Sequence, residues 1–195
     1  PKDDKVMAYI NTKDLKDEEY INSHYIMMCT KKGVVKKTSL EAYSRPRTNG
    51  INAITIREGD QLLEAKMTTG NSHIMMAVKS GKAIHFEEEK VRSMGRTAAG
   101  VRGIRLASDN DEVVGMICIE DVNTSVLVVA ENGYGKRSAV EDYRITNRGG
   151  KGVKTINITE KTGQLISLKN VSDEDDLMVI NKSGITIRIG VDTLR

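Results

Sequence analysis

An all-β fold made of repeated four-stranded units is predicted for this chain by three features. Four segments read as an apolar strand, a tight turn containing glycine, and a second strand. The turn glycines recur about every 50 residues, a period typical of blade-like repeats. The residues around each glycine repeat with it at fixed offsets.

The four hairpins begin at Tyr25, His73, Ser125 and Leu177, and their turn glycines are Gly33, Gly81, Gly133 and Gly184. Lys-Lys-Gly, Lys-Ser-Gly and Glu-Asn-Gly suit short loops whose last residue takes a positive φ, which glycine adopts at no steric cost. The flanking runs are rich in β-branched residues and have the length of ordinary strands.

Four residues after the glycines stand Lys37, His85, Arg137 and Arg188. Eight after them stand the acids Glu41, Glu89, Glu141 and Asp192, and ten after them Tyr43, Val91, Tyr143 and Leu194. The acids are expected to cap a turn where the strand ends. An Arg-bearing connection follows in three units, with Arg45 and Arg47, Arg92 and Arg96, then Arg144 and Arg148. Each connection closes on glycine and a third strand: Gly50-Ile-Asn-Ala-Ile, Gly100-Val-Arg-Gly-Ile and Gly152-Val-Lys-Thr-Ile. After a second turn, a fourth strand opens at Gln61, Glu112 and Gln164 and is read as the start of the next unit.

The resulting units are 1–58, 59–108, 109–162 and an incomplete 163–195 within one repeat domain. Lys5–Ile10 matches the fourth-strand position of a preceding unit, and Val191–Arg195 stops where a connection should begin. With Pro1 in place of Met, both ends are expected to be cut boundaries of a longer protein. Lys13–Ser23 reads as an inter-unit loop with one helical turn. Pro46 lies in a connection, where it removes no ladder hydrogen bond.

Composition narrows the function. Hydrophobic residues make up 38% and charged residues 29%, as in an ordinary globular domain. With one Phe and no Trp, the core must be built from aliphatic residues and nine Met. Cys29 and Cys118 lie in apolar runs without a CxxC pattern and read as small buried hydrophobes in a reducing cytosol; a disulfide between them is the alternative. No apolar run approaches the ~20 residues of a membrane helix, and no signal-peptide pattern is present.

The formal net charge is only +3, from 30 basic and 27 acidic residues, so a nucleic-acid surface would need its charge segregated. A residue type repeated in every unit returns at the same height around the assembly. The basic set Lys36, Lys37, Arg45, Arg47, Lys82, Arg92, Arg96, Arg102, Lys136, Arg137, Arg144, Arg148, Lys151, Lys154 and Arg188 is therefore expected to form a belt. Such a belt suits bent duplex DNA read through its phosphates. Scarce aromatics argue against single strands, which stack on them. Glu87–Glu89 and Asp173–Asp176 read as solvated loops that repel phosphate on one side. The competing reading of the basic residues is solvation and protection of sheet edges.

Catalytic signatures are missing from the sequence. His24, His73 and His85 show no metal-ligand spacing with the cysteines. No GxSxG or P-loop occurs. Arg148-Gly-Gly-Lys-Gly152 could cradle phosphate but lacks Walker spacing and a following helix. It reads instead as a flexible loop bringing Arg148 and Lys151 to a DNA backbone.

Four stretches carry a family resemblance: Gly33-Val-Val-Lys-Lys-Thr38, Val91-Arg-Ser-Met-Gly-Arg96, Gly100-Val-Arg-Gly-Ile-Arg-Leu106 and Asn132-Gly-Tyr-Gly-Lys-Arg137. They resemble the C-terminal domain of the DNA gyrase A protein, from about Lys5 to Arg195. The resemblance implies a β-pinwheel, a propeller-like disc of four-stranded blades with a strand exchanged between neighbours. It implies DNA wrapping on a basic perimeter, supporting ATP-dependent negative supercoiling by the holoenzyme. The implied partners are double-stranded DNA, the N-terminal core of gyrase A, and gyrase B, in the cytoplasm at the nucleoid. No catalytic residue and no cofactor is implied for this piece. Asn147–Gly152 is similar to the family's box motif, Gln-Arg-Arg-Gly-Gly-Lys-Gly, but lacks its leading Gln-Arg and falls in a later unit. The resemblance thus implies DNA contact at Arg148 and Lys151, with the box itself expected upstream of Pro1. An open arc that binds DNA weakly, gives no full wrap and pairs with another copy along its edges is expected. Two other readings are carried: the C-terminal domain of the topoisomerase IV A protein, and a protein-binding propeller scaffold.

Overall fold

The computed structural model describes residues 4–194. Pro1 and Arg195, which bound the first and last units read from the sequence, lie outside the described residues. Thirteen strands follow one another: β1 (Tyr25–Thr30), β2 (Val34–Ser39), β3 (Leu62–Thr68), β4 (His73–Val78), β5 (Lys82–Glu87), β6 (Val101–Arg102), β7 (Val113–Ile119), β8 (Ser125–Ala130), β9 (Gly135–Ala139), β10 (Val153–Lys154), β11 (Leu165–Val171), β12 (Asp176–Ile180) and β13 (Thr186–Gly190). They form antiparallel sheets in the orders β3-β1-β2-β6, β7-β4-β5-β10, β11-β8-β9 and β12-β13. The expected all-β pinwheel architecture is what the chain adopts.

All four hairpins form where the glycines place them. Each turn glycine donates its N–H three residues back, to Thr30, Val78, Ala130 and Asn181, and each takes a φ between 81° and 86°. Helix α1 (Glu18–Ser23) supplies the expected helical turn. Asp17 caps it by accepting from the Glu19 and Tyr20 amides, and Ile21 is its buried residue.

One assignment changes. The fourth strands do not open the next unit: β3, β7 and β11 pair with β1, β4 and β8, the hairpin strands before them in the chain. The first sheet therefore draws on residues 25–39, 62–68 and 101–102, across the boundaries read from the sequence. The third strands are exchanged between neighbours, as the family resemblance implies. β6 pairs with β2, and β10 with β5, one sheet back. Gly50–Ile54 and Lys5–Ile10 form no ladder.

The exchange has a local physical cause. The carbonyl of Gly33 accepts the amides of Gly103 (2.8 Å) and Ile104 (3.2 Å). The carbonyl of Gly81 accepts those of Thr155 (2.9 Å) and Ile156 (3.3 Å) in the same way. A Cβ on Gly81 would stand 2.5 Å from the Ile156 carbonyl oxygen, whereas one on Gly133 would meet nothing within 4 Å. The turn glycine therefore does two jobs where an exchanged strand docks, and one where it does not.

The inner hairpin strands β1, β4 and β8 are buried on both faces, so their apolar runs are nearly continuous, whereas β12 and β13 of the last hairpin are largely exposed. Ile74, Met76 and Val78 of β4 pack toward the first sheet with Met27, Cys29 and Val35. Met75 and Ala77 pack the other way, with Val126 and Val128 of the third sheet. Helix α1 and the first connection cover the outer face of the first sheet through Ile21, Ala53 and Ile54. Both cysteines are free and lie within this packing, as the sequence implies. Burial pushes the Cys118 thiol up to about 12, with Glu88 adding to the effect.

Fasteners between units come from an offset noted in the sequence. The residue four after the turn glycine reaches the short 3-10 segment of the next unit (Glu88–Lys90, Val140–Asp142 or Val191–Thr193) or the residue that caps it. Lys37 pairs with Glu88 at 3.4 Å, inside the protein. His85 meets the Tyr143 carbonyl at 2.7 Å. Arg137 donates to the Val191 carbonyl at 3.1 Å and pairs with Asp173. The expectation of a solvated Glu87–Glu89 run therefore fails at Glu88, which is fully buried and also accepts from Thr68 and the Ser72 amide. The exposed acids Glu41, Glu89, Glu141 and Asp192 sit instead in the first turn of the 3-10 segments.

Lys36 is also buried, donating to the Ala53 carbonyl at 2.6 Å and to the Arg96 carbonyl. Burial, then the Arg96 charge, lowers its pKa to about 8. An ordinary lysine in the unfolded chain titrates near 10.4. Between those values the unfolded chain binds more protons, so this residue's contribution to stability rises with pH.

Two measurements test these readings. Gly133→Ala should cost about 1–2 kcal/mol for the left-handed backbone alone, and Gly81→Ala a further ~1–3 kcal/mol for the blocked carbonyl, read by urea unfolding. In the same assay, wild type should gain stability relative to Lys36→Met as pH rises from 8 toward 10; a constant difference would refute the lowered pKa.

Candidate nucleic-acid interface

The three connections carry an unusual charge distribution. Residues 45–57, 92–107 and 144–158 contain no Asp or Glu. They hold eleven cations: Arg45, Arg47, Arg57, Arg92, Arg96, Arg102, Arg105, Arg144, Arg148, Lys151 and Lys154. Setting these aside leaves 19 of the 30 basic residues against all 27 acidic ones. The small net charge thus conceals strong segregation.

The connections also touch. Thr55 donates its amide to the Ala98 carbonyl (3.4 Å) and its hydroxyl to the Thr97 carbonyl (2.7 Å). Arg57 reaches the Gly100 carbonyl and Arg96 the Asn52 carbonyl, each at 3.3 Å. The next contact repeats the pattern: Gly149 donates to Gly103, Arg105 to Gly150, and Arg148 to Arg102. These bonds join three connections into one rim along the outer strands β6 and β10.

On that rim the cations lack counter-charges. Arg45, Arg47, Arg92, Arg102, Arg144, Lys151 and Lys154 are exposed, while Arg96 and Arg148 are half-buried. Among the described residues, no ion pair involves any of these rim residues; the pairs formed use Lys37, Lys79, Lys90, Arg137 and Arg188. Lys154 stands directly opposite Lys82 across the β10–β5 ladder. Like charges in facing positions disfavour a strand pair, and an anion bound between them would relieve that cost.

The expected belt needs correction at several members. Lys36 and Lys37 are buried and hold sheets together, so they cannot meet a ligand on the surface. The Arg137 side chain is only 17% exposed and fastens the last hairpin. Arg188 is exposed but lies on that hairpin, paired with Asp176, which raises its own already high pKa. Lys136 is exposed on β9, and Lys82 is half-buried beside Lys154. Sequence reasoning missed Arg57 and Arg105, both exposed on acid-free segments. Searching for runs without acids, rather than for fixed offsets, would have found them.

The glycine-rich loop at 148–152 is held rather than flexible. Arg148 donates through Nε to the Lys90 carbonyl (2.9 Å) and through Nη1 to the Arg102 carbonyl (3.1 Å). Gly149 docks on Gly103 at 2.6 Å. A fixed loop leaves Lys151 exposed at a defined place. Among the described residues, no cluster of three or more His, Cys, Asp or Glu could hold a metal ion, and no helix is long and apolar enough to cross a membrane.

Comparison with known proteins agrees with the repeat. The family model for the DNA gyrase C-terminal domain, beta-propeller, matches residues 24–68, 72–120, 124–172 and 175–195. The DNA gyrase A protein of Staphylococcus epidermidis (strain ATCC 12228) is 44% identical over 190 residues, covering 97% of this chain and 21% of that protein. Its counterpart in Staphylococcus aureus (strain NCTC 8325) is 42% identical over the same coverage. The chain thus spans about a fifth of the length of these relatives. A solved C-terminal domain of DNA topoisomerase IV aligns with a TM-score of 0.82 at 24% identity, over 89% of this chain and 54% of that one. A DNA gyrase A C-terminal domain aligns with a TM-score of 0.77 at 23% identity, over 94% and 59%. At such identities the structural likeness speaks for the fold alone. Repeat, fold and sequence relatives together place this chain in the DNA gyrase C-terminal domain family.

Proposed function

We propose that this chain binds double-stranded DNA along the rim formed by its three acid-free connections, and bends the duplex around it. The observation that carries the reading is the rim itself: eleven cations, no acid in the segments, and, among the described residues, no ion pair to any of them. Guanidinium and ammonium groups there meet phosphate oxygens and release condensed counterions, without reading bases. The carbonyl contacts of Arg96 and Arg148 fix each guanidinium and leave further N–H groups to donate.

In the longer protein, this domain would serve gyrase A in the cytoplasm, at the nucleoid. It would present wrapped DNA to the N-terminal core and to gyrase B, where ATP hydrolysis drives negative supercoiling. The chemistry of strand passage belongs to those parts, and this domain contributes no catalytic residue or cofactor. Alone, it is proposed to bind weakly and give no full wrap, since its rim comprises three connections.

Fluorescence anisotropy of a labelled duplex at several salt concentrations tests the binding. The logarithm of the affinity should fall linearly in log[salt] with little dependence on sequence. Arg102→Ala, Arg105→Ala or Lys151→Ala should each reduce the slope by about 0.9. Lys182→Ala, at the exposed tip of the β12–β13 hairpin, where no connection docks, should leave it unchanged. Absence of binding at low salt would refute the reading and favour a protein-binding scaffold. A stable positive wrap in a topological assay with this chain would overturn the expectation of weak, partial binding.

A further inference from the structure

We propose that the joint between the second and third units is proton-responsive: the His73–His85 pair keeps it closed with no proton or one proton bound, and opens it with two. Lys37 and Arg137 fasten the joints on either side, and His85 occupies the equivalent place.

The hydrogen bonds determine the tautomers. A carbonyl oxygen only accepts, so His85 Nδ1 carries a hydrogen toward the Tyr143 oxygen 2.7 Å away. In neutral His85 the other nitrogen, Nε2, is then bare. It lies 2.9 Å from His73 Nδ1, so His73 carries its hydrogen on Nδ1 and donates it. One added proton leaves this chain of bonds intact. On the outer nitrogen of His73 it strengthens the existing bond; on His85 Nε2 it requires only that His73 shift its hydrogen outward. A second proton places N–H against N–H at 2.9 Å, in a pair whose inner member is 4% exposed.

The charged or titratable groups acting on His85 are few. His73 faces it from β4, and Glu87 stands beside it on β5. The third connection meets it through the main chain, with Tyr143 accepting from Nδ1 and Thr146 donating its amide to the His85 carbonyl at 2.9 Å. The Tyr143 phenol is bonded to Thr155. Burial lowers the His85 pKa; the Tyr143 hydrogen bond opposes this, the His73 charge adds to it, and Glu87 opposes it. A depressed folded value means stability present above the ordinary histidine range near 6.5 and lost as pH falls below it. Because the two rings are coupled, the steps belong to the pair.

The repeat supplies an internal control. The Thr146 amide reports the histidine joint, and the Met94 amide, 2.9 Å from the Lys37 carbonyl, reports the equivalent contact one unit earlier. Hydrogen-exchange protection factors of both amides should be followed by NMR from pH 7.5 to 5. The Thr146-to-Met94 ratio should fall about tenfold per pH unit below the second protonation step, the slope for one proton. His73→Gln, whose side-chain amide can either donate or accept, should hold the ratio constant. A ratio that stays constant in wild type, or falls equally in His73→Gln, would overturn the proposal. The wild-type measurement decides it even if the variant does not fold.

Discussion

The fold rests on two amides donating to one carbonyl. At Gly33 and again at Gly81, the turn of a hairpin offers its oxygen to the backbone of the following unit. This bond pulls a two-residue strand out of its own unit onto the outer edge of the sheet before it. It also blocks any side chain at the glycine, because the incoming carbonyl occupies the space a Cβ would need. Once the outer strand is fixed there, the connection leading to it must cross the gap between units. The arginines of that connection therefore arrive at the perimeter, and successive connections are brought within hydrogen-bonding distance of each other. The rim is a consequence of the exchange.

The joints below the rim use three chemistries at one repeat position. A buried ion pair holds the first, a neutral histidine contact the second, and a partly exposed arginine the third. Each anchors to the 3-10 segment of the next unit or the residue that caps it, so geometry is kept while charge varies. Buried ion pairs carry a large desolvation cost that good geometry must offset. Glu88 meets that condition, since its two oxygens also accept from Thr68 and Ser72. The third joint, with Asp173 in solvent, is the most open to screening by salt.

Much of this was legible in the sequence, and the failures share a cause. Turn glycines, hairpins and repeat offsets depend on local backbone chemistry, and all four hairpins form as read. The partners of the third and fourth strands depend on which edge is available in three dimensions: adjacency along the chain misassigned the fourth, and the exchange of the third came from the family resemblance rather than from local chemistry. The site reading failed in the same way. Lys36 and Lys37 look like surface residues, yet their ammonium groups find carbonyls and a carboxylate supplied by other parts of the chain. Arg57 and Arg105 escaped notice because attention fell on fixed offsets, while the absence of acids along whole connections was the stronger signal.

Strand exchange also bears on how such a chain can be built on the ribosome. The first sheet lacks its outer strand until Val101 and Arg102 have been synthesised, and the second until Val153 and Lys154 have followed. Completion of each sheet therefore trails its own hairpin by about one unit. During elongation the β2 edge, and then the β5 edge, stays unpaired until a whole further hairpin has emerged. Vectorial synthesis thus leaves each of these outer edges open to a wrong partner until its exchanged strand arrives.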